Sequence, residues 1–311
     1  MESCRARRRR VPLLYVTLAS VAVVGGTATG TVYVKEQPRS APVARSAVSS
    51  SATPSGVAAS GEASVEPVAR PTVDRDELLA DAMQSVAVAK GAEVSVAVLD
   101  LESGESATYG GGSFDTASIV KVDILAALLL RAQDEGRAPT SAEKAYATAM
   151  IESSDNASAS ALWETIGRAE GLAAANERFG LSATVGGDGM LWGLTQTTAE
   201  DQLALLQQVF GDESELSEAS RSYLQGLMGR IAVDQRWGVS AVADGSRWAL
   251  KNGWLPRSTT GLWDVNSIGR VTVDGRECLV AVLSDGNATK AAGVALVEAA
   301  AKAAVSVFAA D

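Results

Sequence analysis

Residues 118–135 read SIVKVDILAALLLRAQDE, the most apolar helical pattern in the chain. The apolar residues recur every three or four positions, which predicts a buried α-helix. Ser118 and Lys121 stand three residues apart at its start, so their hydroxyl and ammonium groups share one helix face. Unpaired backbone N–H groups at a helix start favour a developing anion, and a partly buried lysine loses its proton more readily. The pair is therefore a candidate nucleophile and base.

Two later triplets strengthen this interpretation. A Ser-x-x-Lys pair alone is a weak signal, because an N-cap serine followed by a solvated lysine produces the same pattern. Ser154-Asp155-Asn156 falls in a predicted break between helices, where a loop directs hydroxyl and amide groups into a cleft. Lys251-Asn252-Gly253 ends a predicted strand, and its glycine would let a substrate backbone approach the strand edge. The ordered set is much more specific than any one member.

The periodicity around these motifs predicts an α+β fold. One antiparallel sheet, built from both ends of the chain and covered by the two terminal helices, forms an αβα sandwich, and the middle of the chain forms an all-helical lobe. The active site is then expected in the cleft between sheet and lobe. Helices are predicted at 74–90, 118–135, across 141–210 with breaks at 153–156, 167 and 180–193, at 215–229 and at 288–309. Strands are predicted at 93–101, 106–109, 247–251, 260–267, 270–274 and 277–284.

In these motifs the sequence resembles the penicillin-recognising serine hydrolases, nearest to the class A β-lactamases, whose signature is Ser-x-x-Lys, Ser-Asp-Asn and Lys-Thr-Gly. The likeness covers about residues 74–311. It implies that Ser118 attacks a carbonyl and is acylated, that Lys121 helps to remove its proton, and that Ser154 passes a proton to the leaving nitrogen. Asn156 would hold the substrate's side-chain amide and help to position Lys121, and Lys251 would attract the substrate carboxylate.

The remaining site residues also follow from the resemblance. The backbone N–H groups of Ser118 and Trp254 would form the oxyanion hole, a contribution worth about 3 to 4 kcal/mol per donor in other hydrolases. Gly253 completes the third motif. Asn252 stands where the family usually has threonine or serine, so an amide would contact the carboxylate. Arg236 is the better candidate for the arginine that supports this carboxylate, and Arg257 is the second.

The sequence departs most from the family in the loop at 179–197. The usual Glu-x-x-Leu-Asn motif, whose glutamate activates the deacylating water, is missing there. Asp188, flanked by glycines, is the only carboxylate in this loop. Asp188 is thus the possible deacylation residue, and we expect slow deacylation. The segment between Ser118 and Ser154 is also shorter than is typical, which should open one wall of the cleft.

The composition excludes several other mechanisms. The 311 residues include no histidine, so neither a Ser-His-Asp relay nor a histidine-built zinc site can form. Cys4 and Cys278 lie at opposite ends of the chain, which excludes a disulfide framework or a cysteine metal cluster. The expected chemistry uses no metal and no organic cofactor.

The N-terminal third predicts an exported protein. Residues 1–34 hold five arginines followed by an uncharged stretch at 11–34, typical of a transmembrane anchor or a signal peptide, and we favour the anchor. Residues 35–71 hold five of the eight prolines and no Leu, Ile or aromatic residue, which predicts a flexible linker. Residues 72–311 form the predicted catalytic domain. They carry 18 of the 27 basic and 33 of the 37 acidic residues, a net charge of −15 that disfavours nucleic acid.

Three functional hypotheses follow. The first is an extracytoplasmic, class A β-lactamase-like serine hydrolase, membrane-bound through its N-terminal segment or secreted, monomeric, and acting on small β-lactam-like or related amides. The second keeps the fold and nucleophile but makes the protein a D,D-peptidase or a penicillin-binding protein that stalls as an acyl-enzyme. The third is a non-catalytic, surface-tethered binding module.

Overall fold

The computed structural model describes residues 73–309, so the predicted anchor and linker lie outside the described residues. The strands in this part are β1 (Glu93–Asp100), β2 (Ser106–Tyr109), β3 (Phe114–Asp115), β4 (Gln196–Thr197), β5 (Trp248–Pro256), β6 (Trp263–Val273) and β7 (Arg276–Asp285). The helices are α1 (Arg75–Met83), α2 (Val120–Asp134), α3 (Ser141–Glu152), α4 (Asn156–Ile166), α5 (Arg168–Phe179), α6 (Ala199–Phe210), α7 (Glu218–Met228) and α8 (Lys290–Ser306). None of these helices is long and apolar enough to cross a bilayer.

The central sheet is antiparallel and joins both ends of the described chain. Its strand order is β2-β1-β7-β6-β5, and β3 pairs with β4 in a separate two-stranded sheet. The middle strand β7 is buried from Cys278 to Ser284 on both faces, as a strand with helices above and below must be. Strand β5 is an edge strand, so part of its backbone remains available outside the sheet.

Two hydrophobic layers enclose this sheet. On one face, α1 and α8 pack against side chains such as Val96, Val280 and Val282. On the other face, Ala97, Leu279 and Ala281 belong to one core with the helical lobe. The predicted αβα sandwich with an all-helical lobe is confirmed.

Several element boundaries differ from the sequence prediction. Helix α1 stops at Met83 rather than at residue 90, and the predicted strands 260–267 and 270–274 are one strand, β6. The joining glycine, Gly269, packs its backbone where a Cβ would lie 2.4 Å from the Ala249 carbonyl oxygen, so this residue serves close strand packing and not a turn. The pairing of β3 with β4 carries no alternation in the sequence and was not predicted.

The start of the most apolar helix also differs. Residues Ala117–Ile119 form a single 3₁₀ turn, and the α-helix begins only at Val120. Ala117 has a φ of 48°, a left-handed conformation that costs a residue with a Cβ about 1 to 2 kcal/mol. Ser118 is therefore presented from a strained turn in front of the helix.

Strand β5 fixes the position of this turn through Gly253. A Cβ on Gly253 would lie 2.7 Å from the Thr116 carbonyl oxygen and 2.8 Å from the Ser118 backbone nitrogen. Only a residue without a side chain lets the two backbones approach this closely. The predicted reason for this glycine, access for a substrate backbone, is replaced by contact with the protein's own turn.

We therefore expect Gly253→Ala to lower the free energy of unfolding by about 1 to 3 kcal/mol, as an added methyl group does in a fully packed site. Urea denaturation followed by circular dichroism measures this loss. Gly193→Ala is the matched control, because its Cβ would lie 4.0 Å from the Ala117 Cα, an ordinary contact on the same turn. Equal stability of the two variants would contradict the close approach of β5.

Candidate active site

Lys121 lies at the centre of the cluster that the motifs predicted. Its residue is fully buried in the first turn of α2, one turn after Ser118. Its Nζ donates to the Ser154 carbonyl oxygen at 2.8 Å, to the Ser154 Oγ at 3.0 Å and to the Asn156 Oδ1 at 2.8 Å. The first two motifs are therefore joined through one ammonium group.

Lys251 brings the third motif to the same hydroxyl. Its Nζ donates to the Ser154 Oγ at 3.1 Å, to the Asn252 carbonyl oxygen at 2.9 Å and to the Gln235 Oε1 at 3.5 Å. Ser154 is thus held between two lysines from opposite sides of the cleft. This convergence requires the sheet and the lobe to be docked, since Lys251 lies on β5 and Ser154 follows α3.

Both lysines are perturbed by this placement. Burial lowers the pKa of Lys121 to about 7, against a smaller opposing effect of Asp155. Burial lowers the pKa of Lys251 well below its ordinary value, and repulsion from Lys121 lowers it further. An amine that is partly neutral near pH 7 is able to accept a proton from a neighbouring hydroxyl.

The two serines occupy strained backbone positions. Four non-glycine residues have positive φ in the described part, and two belong to this site: Ala117 at 48° and Ser154 at 56°. Such strain persists only where surrounding contacts impose it, and it concentrates at functional sites. Ser118 is half-buried beside this strained turn, so its hydroxyl remains accessible from the cleft.

Asn156 begins α4 and faces the cleft with one group still available. Asp155 caps this helix, accepting the Ser158 N–H at 2.6 Å, and this hydrogen bonding lowers the pKa of Asp155. Asn156 is exposed, and its Oδ1 is used by Lys121. Its Nδ2 makes no hydrogen bond among residues 73–309 and is able to donate to a ligand.

Asn252 does not occupy the predicted position. Its residue is fully buried, and its Nδ2 donates to the carbonyl oxygens of Gln235 at 2.7 Å and Trp237 at 3.0 Å. Its Oδ1 is buried without a partner in the described part, and an acceptor cannot bind a carboxylate. The prediction of an amide contact to a substrate carboxylate is corrected: Asn252 fastens the 235–237 loop to β5.

Arg236 is also placed differently from the prediction. Its exposed guanidinium lies over the Trp248 ring at 5.4 Å, and its Nε donates to the Ile231 carbonyl oxygen at 3.3 Å. These contacts direct it to the start of β5, away from the Ser154 hydroxyl. The second candidate, Arg257, is ion-paired with Asp115.

Lys290 is the cation that the sequence prediction missed. As the first residue of α8, its Nζ lies 3.6 Å from the centre of the Trp254 ring and 5.7 Å from that of Trp237. Its ammonium makes no hydrogen bond or ion pair with any residue in 73–309. A cation at a helix N-terminus is electrostatically unfavourable, so a position beside the third motif with free donors indicates a ligand-binding role.

Asp188 lies on the surface of its loop. The residue is exposed, and its side chain forms no hydrogen bond or ion pair with the described residues. Its loop is instead anchored by Trp163, whose Nε1 donates to the Gly189 carbonyl oxygen at 2.8 Å. The contacts give no support to the prediction that Asp188 reaches the site.

The part of this loop that does reach the site is apolar. The Lys121 Nζ lies 5.0 Å from the centre of the Trp192 ring, and the Trp192 Nε1 donates to the Ser160 Oγ at 3.1 Å. A cavity of about 540 Å³ opens beside this ring, lined mainly by Met190, Leu191, Trp192, Leu194, Leu255 and Pro256. It offers room for an apolar part of a ligand next to Lys121.

No group of metal-ligating side chains in the described part is placed to hold a metal ion. The available chemistry is that of a hydroxyl nucleophile, two perturbed lysines and a bridging serine. Gln235, Trp192 and Lys290 complete the site, and none of them belongs to a spaced motif that would have indicated it.

Known proteins with similar sequences and structures agree with this geometry. Lipoprotein LppW of Mycobacterium tuberculosis and Mycobacterium bovis is 29% identical over 202 residues, which cover 61% of this chain and 63% of LppW. The chain thus matches somewhat less than two thirds of the length of these relatives.

The fold is that of solved penicillin-interacting proteins. The structure of PBP-A has a TM-score of 0.65 at 23% identity over 75% of this chain and 96% of PBP-A. A class A β-lactamase from Bacteroides cellulosilyticus has a TM-score of 0.64 at 16% identity over 77% of this chain and 100% of the enzyme.

The family comparison covers more than half of the chain. Residues 140–308 match the model of the beta-lactamase enzyme family, a range that includes the second and third motifs. The fold, with Ser118, Ser154 and Lys251 around one cleft, is the fold of the β-lactamase-like serine hydrolases. The chain therefore belongs to the beta-lactamase enzyme family.

Proposed function

We propose that this protein is a serine hydrolase that is acylated at Ser118 by β-lactam or related small amide substrates. The observation that carries the proposal is the double hydrogen bond to the Ser154 Oγ, from Lys121 at 3.0 Å and from Lys251 at 3.1 Å. It builds a proton path of three side chains beside an accessible hydroxyl. No organic cofactor or metal is needed for this chemistry.

Acylation follows from these contacts. Neutral Lys121 takes the Ser118 proton while the Ser118 oxygen bonds to the substrate carbonyl carbon, and the N–H groups of Ser118 and Trp254 receive the oxyanion. The proton passes through the Ser154 hydroxyl to the leaving nitrogen as the amide C–N bond breaks. General base assistance of this kind contributes about a hundred- to ten-thousand-fold to the rate.

Substrate binding prepares Lys121 for this step. A substrate carboxylate beside Lys251 stabilises the charged form of that lysine and raises its pKa. A charged Lys251, joined to Lys121 through the Ser154 hydroxyl, disfavours a second ammonium by repulsion. Binding therefore favours neutral Lys121, so the base is generated where the substrate is bound.

Lys290 provides the second cation for the carboxylate. Its ammonium lies on the Trp254 ring next to Gly253, and its donors have no acceptor among residues 73–309. Arg236 is occupied by Trp248 and the Ile231 carbonyl oxygen. Lys290 thus takes the role that the family resemblance assigned to an arginine.

Deacylation is the weak step of this proposal. The loop that should supply a general base has Asp188 as its only carboxylate, and that side chain is exposed without contact to the site. Asp155, near Lys121, is committed to the cap of α4. An acyl-enzyme without a base to activate water accumulates, which favours a penicillin-binding protein or slow D,D-peptidase as the second candidate. An acyl-enzyme of PBP-A with penicillin G, in the same fold, supports this alternative.

The site of action is outside the cytoplasm. The arginines before residues 11–34 and the proline-rich segment at 35–71 are typical of a tethered exported domain. The similar protein LppW carries the name of a lipoprotein. We place the protein at the outer surface of the cell membrane through its N-terminal segment, or secreted if that segment is cleaved, as a monomer.

Intact-mass spectrometry tests the proposed nucleophile and turnover together. Incubation with penicillin G should add the mass of one intact penicillin within minutes, and the adduct should persist for hours because deacylation lacks a base. Ser118→Ala should show no adduct, and Asp188→Asn should lose the adduct at the wild-type rate. An adduct on Ser118→Ala would refute the nucleophile, and rapid turnover without an adduct would refute stalling. Folded protein that no penicillin labels would support the binding-module alternative.

The pH dependence of acylation tests the role of Lys121. Only the neutral amine accepts a proton, so the acylation rate should rise about tenfold per pH unit below the pKa of about 7 and level off above it. Stopped-flow labelling with a chromogenic penicillin measures this profile. Lys121→Ala should be about a hundred- to ten-thousand-fold slower and lose the rise. A flat wild-type profile from pH 5.5 to 8 would contradict Lys121 as the base.

A pair of substitutions tests the carboxylate-binding cation. Lys290→Ala should lower the second-order acylation rate about tenfold, the value of one hydrogen bond to a charged group. Arg236→Ala should remain within about twofold of wild type, since it leaves the cluster around Lys251 intact. The reverse order of effects would return this role to Arg236.

A further inference from the structure

A second, polar cavity adjoins the apolar one. It has a volume of about 440 Å³ and lies at the end of the sheet, lined by the carboxylates of Glu93, Asp115, Asp264 and Asp285. Arg257 and Thr259 line both cavities, so the two share a wall. A ligand in the cleft thus has this cavity within reach across Arg257.

Three of the carboxylates belong to neighbouring strands. Glu93 on β1 stands directly opposite Asp285 on β7, and like charges in such a pair destabilise a sheet. Burial raises the pKa of Asp285, and Glu93 raises it further. Asp285 also raises the pKa of Asp264 on the next strand, β6. The fold therefore maintains a row of mutually repelling carboxylates along one end of the sheet.

Asp264 is the least satisfied member of this row. It is 4% exposed, and its Oδ2 accepts no hydrogen bond within the described residues. Its nearest cation is the Arg257 Nε at 4.0 Å, while the Arg257 guanidinium is paired with Asp115. Burial is the main cause that raises the pKa of Asp264 to about 6. A buried carboxylate oxygen without a donor is costly, so its retention at a cavity wall points to a ligand that donates hydrogen bonds.

The charge and size of the cavity select the class of ligand. Four carboxylates face one guanidinium, so the ligand must be cationic. The described side chains include no group that could hold a metal ion, and 440 Å³ is far more than a bare ion requires. A protonated amine on a short chain supplies both the charge and the missing donors.

We propose that this cavity binds the terminal ammonium group of the substrate, with Asp264 as its principal acceptor. The inference rests on the proposed function, since it assigns an amine-bearing amide as the substrate class of Ser118. The amine end of the acyl group lies beyond the Arg257 wall, and its neutral part lies in the apolar cavity beside Trp192.

The first experiment measures the cavity alone, without any acylation. Isothermal calorimetry at pH 7.5 with n-pentylamine should show binding at millimolar concentration, and n-pentanol should show none. Asp264→Asn should weaken pentylamine binding at least tenfold. Asp212→Asn is the matched control, because this exposed carboxyl between α6 and α7 lines neither cavity. Equal binding by Asp264→Asn and wild type would overturn the assignment.

A second variant protects this test from misfolding. Asp285→Asn should also weaken pentylamine binding, yet it should raise the melting temperature, because it removes the repulsion across β1 and β7. Weaker binding together with higher stability is not expected of residues that only support the fold. Unchanged binding in Asp285→Asn would count against the cavity as an ammonium site.

The second experiment connects the cavity to catalysis. Two penicillins that differ only in their acyl chains, 5-aminopentanoyl and pentanoyl, are compared by their acylation rates of Ser118. The amine should be favoured about tenfold by wild type and by Asp212→Asn, and equally treated by Asp264→Asn. Asp264-dependent pentylamine binding with no such rate preference would overturn the substrate assignment. If neither penicillin acylates Ser118, the proposed function fails, while the calorimetry still decides whether the cavity binds amines.

Discussion

The site depends on one costly arrangement, the burial of two lysines on a single serine hydroxyl. Lys121 and Lys251 both donate to the Ser154 Oγ, and water is excluded from both ammonium groups. Two charges at this separation in a poorly solvated site repel strongly, so one proton is held weakly. The same contact joins α2, the turn after α3 and strand β5. The docking of lobe and sheet and the activation of the base are therefore one energetic event.

The sequence predicted the parts that depend on local pattern. The apolar period of α2, the break at Ser154 and the strand ending near Lys251 all follow from side-chain spacing, and the αβα layers follow from the order of elements. Boundaries failed where tertiary contact decides. Gly269 resembles a break in sequence but packs within β6, and Ser118 lies in a 3₁₀ turn because β5 presses on it at Gly253.

The site residues that were missed or misassigned share one physical reason. Arg236, Asn252 and Lys290 differ in direction, and direction depends on which loop each side chain meets after folding. Asn252 faces the 235–237 loop, whose carbonyl groups take both amide hydrogens. Lys290 stands 39 residues after Lys251 in sequence yet lies on the ring of Trp254. No spacing rule carries that information.

The alternation of β6 separates the two charged regions around the cleft. Val265 packs against α8, where a Cβ on Gly293 would lie 2.4 Å from its Cγ2, so the neighbouring Asp264 points to the opposite face of the sheet. Lys290 belongs to the α8 side, and the carboxylates around Asp264 belong to the lobe side. A ligand lying along the edge of β5 thus meets cations on one side and anions on the other. Such a field orients a molecule with a carboxylate at one end and an ammonium at the other, and it selects the orientation before any bond to Ser118 forms.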